Sequence, residues 1–115
     1  MTAPLQEPTF LILAALAEGP KHGYGVIQEV VALSEGRVTL RPGTLYGALD
    51  RLGEHGLVAP DREEIVDGRL RRYYRLTDEG AAMLEAEAER LATNARAAVE
   101  RLGRRTGQRA RLAHG

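Results

Sequence analysis

Asp67-Gly68 is the dipeptide that most restricts what this chain can fold into. It suits the paired positive φ angles of a two-residue type I′ turn. It also lies between Leu57-Val58 and Ile65-Val66 on one side and Tyr73-Tyr74-Arg75-Leu76 on the other, so a β-hairpin is predicted. Folding about that turn sets Val66 opposite Arg69, Ile65 opposite Leu70, Glu64 opposite Arg71 and Glu63 opposite Arg72. Period-two alternation then places Leu70, Arg72, Tyr74 and Leu76 on one face, and Arg69, Arg71, Tyr73 and Arg75 on the other. The second face is polar and positive. Tyr74, in phase with Leu70 and Leu76, is the tyrosine expected in the core.

A helix is predicted immediately before the hairpin. Pro42 suits its first position, where the missing N–H would have had no partner, and Leu45, Leu49 and Leu52 build one apolar stripe. The other side carries Thr44, Tyr46, Gly47, Asp50, Arg51 and Glu54, and Gly56 is expected to stop the helix. Helix, strand, tight turn and basic strand follow in the order of a winged helix-turn-helix, which sets one helix and one hairpin against a DNA duplex. Small and hydroxylated residues near the start of such a helix allow close approach to phosphates and base edges.

Upstream, a first helix is expected from about Gln6 to Ala17, burying Phe10, Leu11, Leu13, Ala14 and Leu16 and ended by Gly19-Pro20. A second runs from about His22 to Ser34-Glu35-Gly36 with Tyr24, Ile27, Val30 and Val31 inward, and His22 reads as a hydrogen-bonding residue at its start. Val38-Thr39-Leu40 reads as a short first strand. Downstream, Thr77 is the expected N-cap, with Asp78 and Glu79 complementing the positive helix end. Leu84, Ala88, Leu91, Ala95, Ala98 and Leu102 then recur at spacings of four and three, a seam of about three heptads. An Ala/Leu stripe of that length exceeds what a small domain can cover, which favours dimerisation through this helix over burial within one chain. The fold class is thus mainly α with a small hairpin: a winged helix-turn-helix over residues 1–77, a dimerisation helix over 78–105 and a disordered basic tail over 106–115.

Composition narrows the function classes. With 115 residues the chain holds one modest core, and with no cysteine it has no disulfide, thiolate metal site or cysteine nucleophile. Three histidines and no cysteine argue against a metal site, and no cofactor loop or nucleophile–base pair is evident, so an enzyme is not expected. The longest apolar run, Phe10 to Ala17, is too short to span a membrane, and MTAPLQEP lacks the features of a signal peptide, so the cytoplasm is expected. Net charge is zero, yet residues 37–77 hold eight arginines against six acids and residues 101–115 hold five against none. Segregated charge of this kind serves a polyanion even when the total cancels.

Three strings in order, GPKHGYGVIQEV at 19–30, LRPGTLYGALDRLGEHGLV at 40–58 and DGRLRRYYRLTDEG at 67–80, closely resemble the PadR family of bacterial transcriptional regulators. The resemblance implies a winged helix-turn-helix that dimerises through its C-terminal helix, binds a roughly palindromic operator in double-stranded DNA and represses until a small-molecule effector releases it. It also implies contacts to DNA from Tyr24 at the start of the second helix, from Thr44, Tyr46 and Gly47 on the recognition helix, and from Arg69, Arg71 and Arg72 on the wing. Arg41, just before that helix, and Arg51, on its polar side, are further candidates.

Alternatives stand beside these roles. Arg71 and Arg72 face Glu64 and Glu63, so cross-strand ion pairs compete with DNA contact. Tyr46 could pack on the second helix rather than reach a phosphate. A winged helix kept as a protein-interaction module, docking an acidic partner without specific DNA binding, is the competing function.

Overall fold

The computed structural model describes residues 4–114, with side chains through residue 108. Its elements run α1 (Glu7–Ala15), β1 (Lys21–His22), α2 (Gly23–Leu33), α3 (Pro42–Glu54), β2 (Val58–Val66), β3 (Arg69–Leu76) and α4 (Asp78–His114). The chain divides into two compact units, Met1–Glu85 and Ala86–Gly115.

In the first unit, Leu11, Ile12, Leu13, Val26, Val30, Leu45, Leu49 and Leu52 form the centre of one core, closed by Leu57 and Val58 at the start of the hairpin. On α2 and α3 these positions follow the helical period, so each contributes one apolar stripe, whereas α1 buries the consecutive residues Leu11, Ile12 and Leu13 and is apolar on most sides. Phe10, Ile27, Tyr74, Leu76, Met83 and Leu84 pack against its margin. Tyr24 departs from the inward placement its period predicts: it is 64% exposed, while Val26 takes the buried position.

The hairpin has the expected register, Val66↔Arg69, Ile65↔Leu70, Glu64↔Arg71 and Glu63↔Arg72. Asp67 and Gly68 have φ of 52° and 76°, the paired left-handed conformation of the type I′ turn. Pairing then shifts between Glu63↔Arg72 and Pro60↔Tyr74, where Asp61 and Arg62 oppose the single residue Tyr73. Pro60 has no N–H to give the ladder, which fits a strand interrupted at that point.

The sheet has the order β1-β3-β2, with Lys21↔Tyr74 and His22↔Tyr73 joining its first strand. The expected strand at Val38-Thr39-Leu40 does not form. There the Val38 N–H donates to Ser34 Oγ at 3.0 Å, and the Ser34 hydroxyl is within 3.4 Å of the Val38 carbonyl, so a buried serine takes up the strand's first backbone groups. Leu40 is buried in the core instead.

α4 starts as expected: Thr77 Oγ1 accepts from the Gly80 N–H at 3.0 Å and donates to the Gly56 carbonyl at 2.6 Å. It continues past residue 105, and the tail expected to be disordered is helical through His114. Residues 78–114 contain no proline, and Gly103 and Gly107 weaken a helix without breaking it. The side chains of 109–115 lie outside the described residues. Within the second unit, Arg90 pairs with Glu87 and Arg104 with Glu100 along the helix surface.

Candidate nucleic-acid interface

α2 opens without an acidic residue in its first turn, and its N-cap is His22, whose Nδ1 accepts from the Gly25 N–H at 3.2 Å. That bond requires a neutral ring nitrogen. The His22 pKa is lowered first by desolvation and second by Arg71, with Glu64 acting in the opposite sense. The ring also meets Tyr73 edge-on, with centroids 5.4 Å apart, tying the helix start to the wing.

Beside this cap lies a crevice of about 430 Å³ lined by His22, Gly23, Tyr24, Tyr46, Arg69, Leu70, Arg71 and Arg72. Five of the residues expected on the DNA-facing surface thus come together: both tyrosines and all three wing arginines. Tyr46 also packs as the alternative reading expected. A methyl group built on Gly23 would lie 2.5 Å from the Tyr46 hydroxyl, although 44% of Tyr46 remains exposed. Burial, and then Tyr46, raise the hydroxyl pKa of Tyr74.

Thr44, Gly47 and Arg51 are spaced by three and four residues and form a separate outward stripe on α3. Arg51 lies alongside a groove with Thr9, His55 and Met83, away from the wing crevice. Arg41 is exposed at the N-cap position of α3, and its side chain makes no capping bond.

The wing arginines divide in a way their register does not reveal. Arg72 pairs with Glu63 at 3.5 Å, the cross-strand partner expected. Glu64 turns instead to Arg62 Nε at 2.9 Å and to the Tyr73 hydroxyl at 3.1 Å. Arg71 is left with longer-range attraction to Glu64, which lowers that carboxylate's pKa after the hydrogen bonds from Arg62 and Tyr73. Arg62 was not anticipated as a site residue. Its guanidinium sits 4.0 Å from the Tyr73 ring centre and fills the bulge. Pro60, read as the break in the ladder, was the signal that could have located it.

Along the seam of α4, Leu84 is half-buried against the core of the first unit, whereas Ala88, Leu91, Ala95, Ala98 and Leu102 are exposed. Val99, outside the predicted seam, is exposed as well and widens the apolar strip. Among the described residues no group of three or more His, Cys, Asp or Glu could hold a metal ion, and no helix is long and apolar enough to cross a membrane.

Residues 12–86 match the model of the transcriptional regulator PadR-like family. The transcriptional regulator Rv3488 of Mycobacterium tuberculosis is 40% identical over 93 residues, covering 81% of this chain and 76% of that protein. An uncharacterized 37.1 kDa protein in transposon TN4556 of Streptomyces fradiae is 45% identical over 82 residues, and the chain spans only 22% of its length. A PadR family transcription regulator from Clostridium difficile shares the fold with a TM-score of 0.70 at 24% identity, covering 84% of this chain and 99% of that one. Bacillus subtilis PadR, solved in complex with operator DNA, has a TM-score of 0.62 at 22% identity, covering 70% of this chain and 46% of that one. The chain described here belongs to the PadR-like family of transcriptional regulators.

Proposed function

We propose that this regulator is a sequence-specific DNA-binding protein, a homodimeric repressor released by an effector and acting in the cytoplasm. The observation that carries this reading is the crevice in which Tyr24, Tyr46, Arg69, Arg71 and Arg72 converge between the start of α2 and the wing. Wing arginines that line a crevice beside a helix N-terminus suit phosphate oxygens, and the Thr44, Gly47 and Arg51 stripe, with Arg41 at its start, suits a groove. The fold shared with a PadR solved on operator DNA supports the same docking. Residues 1–77 would form the DNA-binding domain. The exposed strip of α4 from Ala88 to Leu102 would pair two copies on a roughly palindromic site.

Fluorescence anisotropy on a promoter duplex and a random duplex tests this reading. The promoter is expected to bind more tightly, with affinity falling steeply as salt rises, and Arg69→Ala or Arg71→Ala should each flatten the slope by about 0.9. Binding that ignores both salt and these substitutions would overturn it. One observation favours the interaction-module reading: Ile65 and Leu70 form an exposed apolar pair near the wing tip, 77% and 55% accessible. A stoichiometric protein partner captured without any selective DNA footprint would establish that reading instead.

A further inference from the structure

Gly23 is the first residue of α2 and is buried, although it stands on the edge of the arginine crevice. What covers it is the ring of Tyr46, from the first half of α3. A Cβ at position 23 would lie 2.5 Å from the Tyr46 hydroxyl oxygen, 2.8 Å from Cζ and 3.1 Å from Cε1. Carbon contacts settle at about 3.5–4.0 Å, so the seat exists only because position 23 has no side chain. Gly25, two residues further on, has no such neighbour: its built Cβ meets nothing closer than 3.7 Å.

We propose that Gly23 and Tyr46 form a positioning pair for DNA reading, in which the ring seated on the bare backbone of α2 sets the spacing between that helix start and the recognition helix. This rests on the DNA-binding reading above. Helix start and recognition helix must meet one duplex together, Tyr24 on the first and Thr44 and Gly47 on the second. A rigid aromatic spacer between them holds that distance with little conformational freedom to lose on binding. Tyr46 therefore acts through its packed edge, by holding two DNA-facing elements in register.

The atoms that a new methyl would strike are the far end of a side chain that can swing outward. Gly23→Ala is therefore expected to fold, with the ring expelled from its seat. The test is a double-mutant cycle read by anisotropy on the tightest duplex recovered from a random-sequence pool, with circular dichroism to confirm folding. Gly23→Ala is expected to weaken that duplex about tenfold, on the scale of one lost base contact, while random duplex changes less than about twofold. In a Tyr46→Ala background the same substitution should cost less than about twofold, because no ring remains to be displaced.

Equal losses in both backgrounds would mean that the methyl obstructs DNA directly, and would overturn the proposal. Selective binding that survives Gly23→Ala unchanged would overturn it too. If Gly23→Ala fails to fold, Tyr46→Ala alone decides: it should lose selectivity for the selected duplex, and full selectivity without the ring refutes the pair. Parent protein that selects no duplex at all would refute the DNA-binding reading itself, a result distinct from any of these.

Discussion

His22 occupies a position where acid should be felt. Its Nδ1 caps α2 only while unprotonated, and desolvation, then Arg71, hold its pKa below the usual value of 6.5, against the opposing pull of Glu64. A depressed folded pKa contributes stability that is fully present above the unfolded value and lost as pH falls through the folded one. The loss should therefore begin below about pH 6.5. Glu7, hydrogen-bonded by Arg37, and Glu64, hydrogen-bonded by Arg62 and Tyr73, have lowered pKa values of their own and act in a separate window below 4.5. His22→Asn keeps a capping oxygen without a titratable ring. Urea midpoints followed by circular dichroism should drop between about pH 7 and pH 5.5 in the parent protein and stay nearly level in the variant. On the wing, Arg71→Ala should reduce DNA affinity more than Arg72→Ala, because part of the Arg72 charge is already engaged by Glu63. The reverse order in a salt titration would contradict that division. Facing positions across the hairpin were legible from the turn alone. That Glu64 would choose Arg62 and Tyr73 over Arg71 was not, because the bulge brings Arg62 alongside.

Backbone approaches closely where the hairpin returns to α4. Thr77 caps the helix, its hydroxyl also holds the Gly56 carbonyl, and its N–H donates to the Leu57 carbonyl at 3.1 Å. Thr77→Ala should cost about 1–2 kcal/mol in a denaturation curve, and Thr77→Ser much less. Gly80 packs its Cα against the Leu57 carbonyl so closely that a methyl group there would collide with backbone. Backbone cannot swing aside as the Tyr46 ring can. Gly80→Ala is therefore expected to destabilise by about 1–3 kcal/mol, a larger loss than Gly23→Ala causes. The cap at Thr77 follows from sequence, since a hydroxyl before two acids marks a helix start. Gly80 carried no such mark, because its requirement comes from a carbonyl more than twenty residues away.

For the molecule as a whole, the apolar strip of α4 is the outstanding exposed surface of the second unit, with Leu91, Val99 and Leu102 at 43%, 69% and 59% accessibility. Under the dimer proposal, light scattering at micromolar concentration should give twice the chain mass of 12.5 kDa. Leu91→Asp combined with Leu102→Asp should return it to the single-chain value, since buried unpaired carboxylates oppose association. Operator affinity should fall with it, because two half-sites would no longer be engaged together. A double variant that keeps the dimeric mass would place the interface elsewhere.

The hairpin and its register, the start of α3 at Pro42, the cap at Thr77 and the repeating stripe of α4 were all determined by the sequence alone. Each depends on residues close together in the chain, where turn chemistry and periodicity decide the outcome. Tertiary structure decided the rest. Lys21–His22, and not Val38-Thr39-Leu40, took the edge of β3, where it pairs with Tyr73 and Tyr74 some fifty residues away. It likewise exposed Tyr24, drew Leu84 from the seam toward the core and seated Tyr46 on Gly23. Those outcomes depend on which distant groups compete for one hydrogen bond or one volume, and local pattern does not encode that competition.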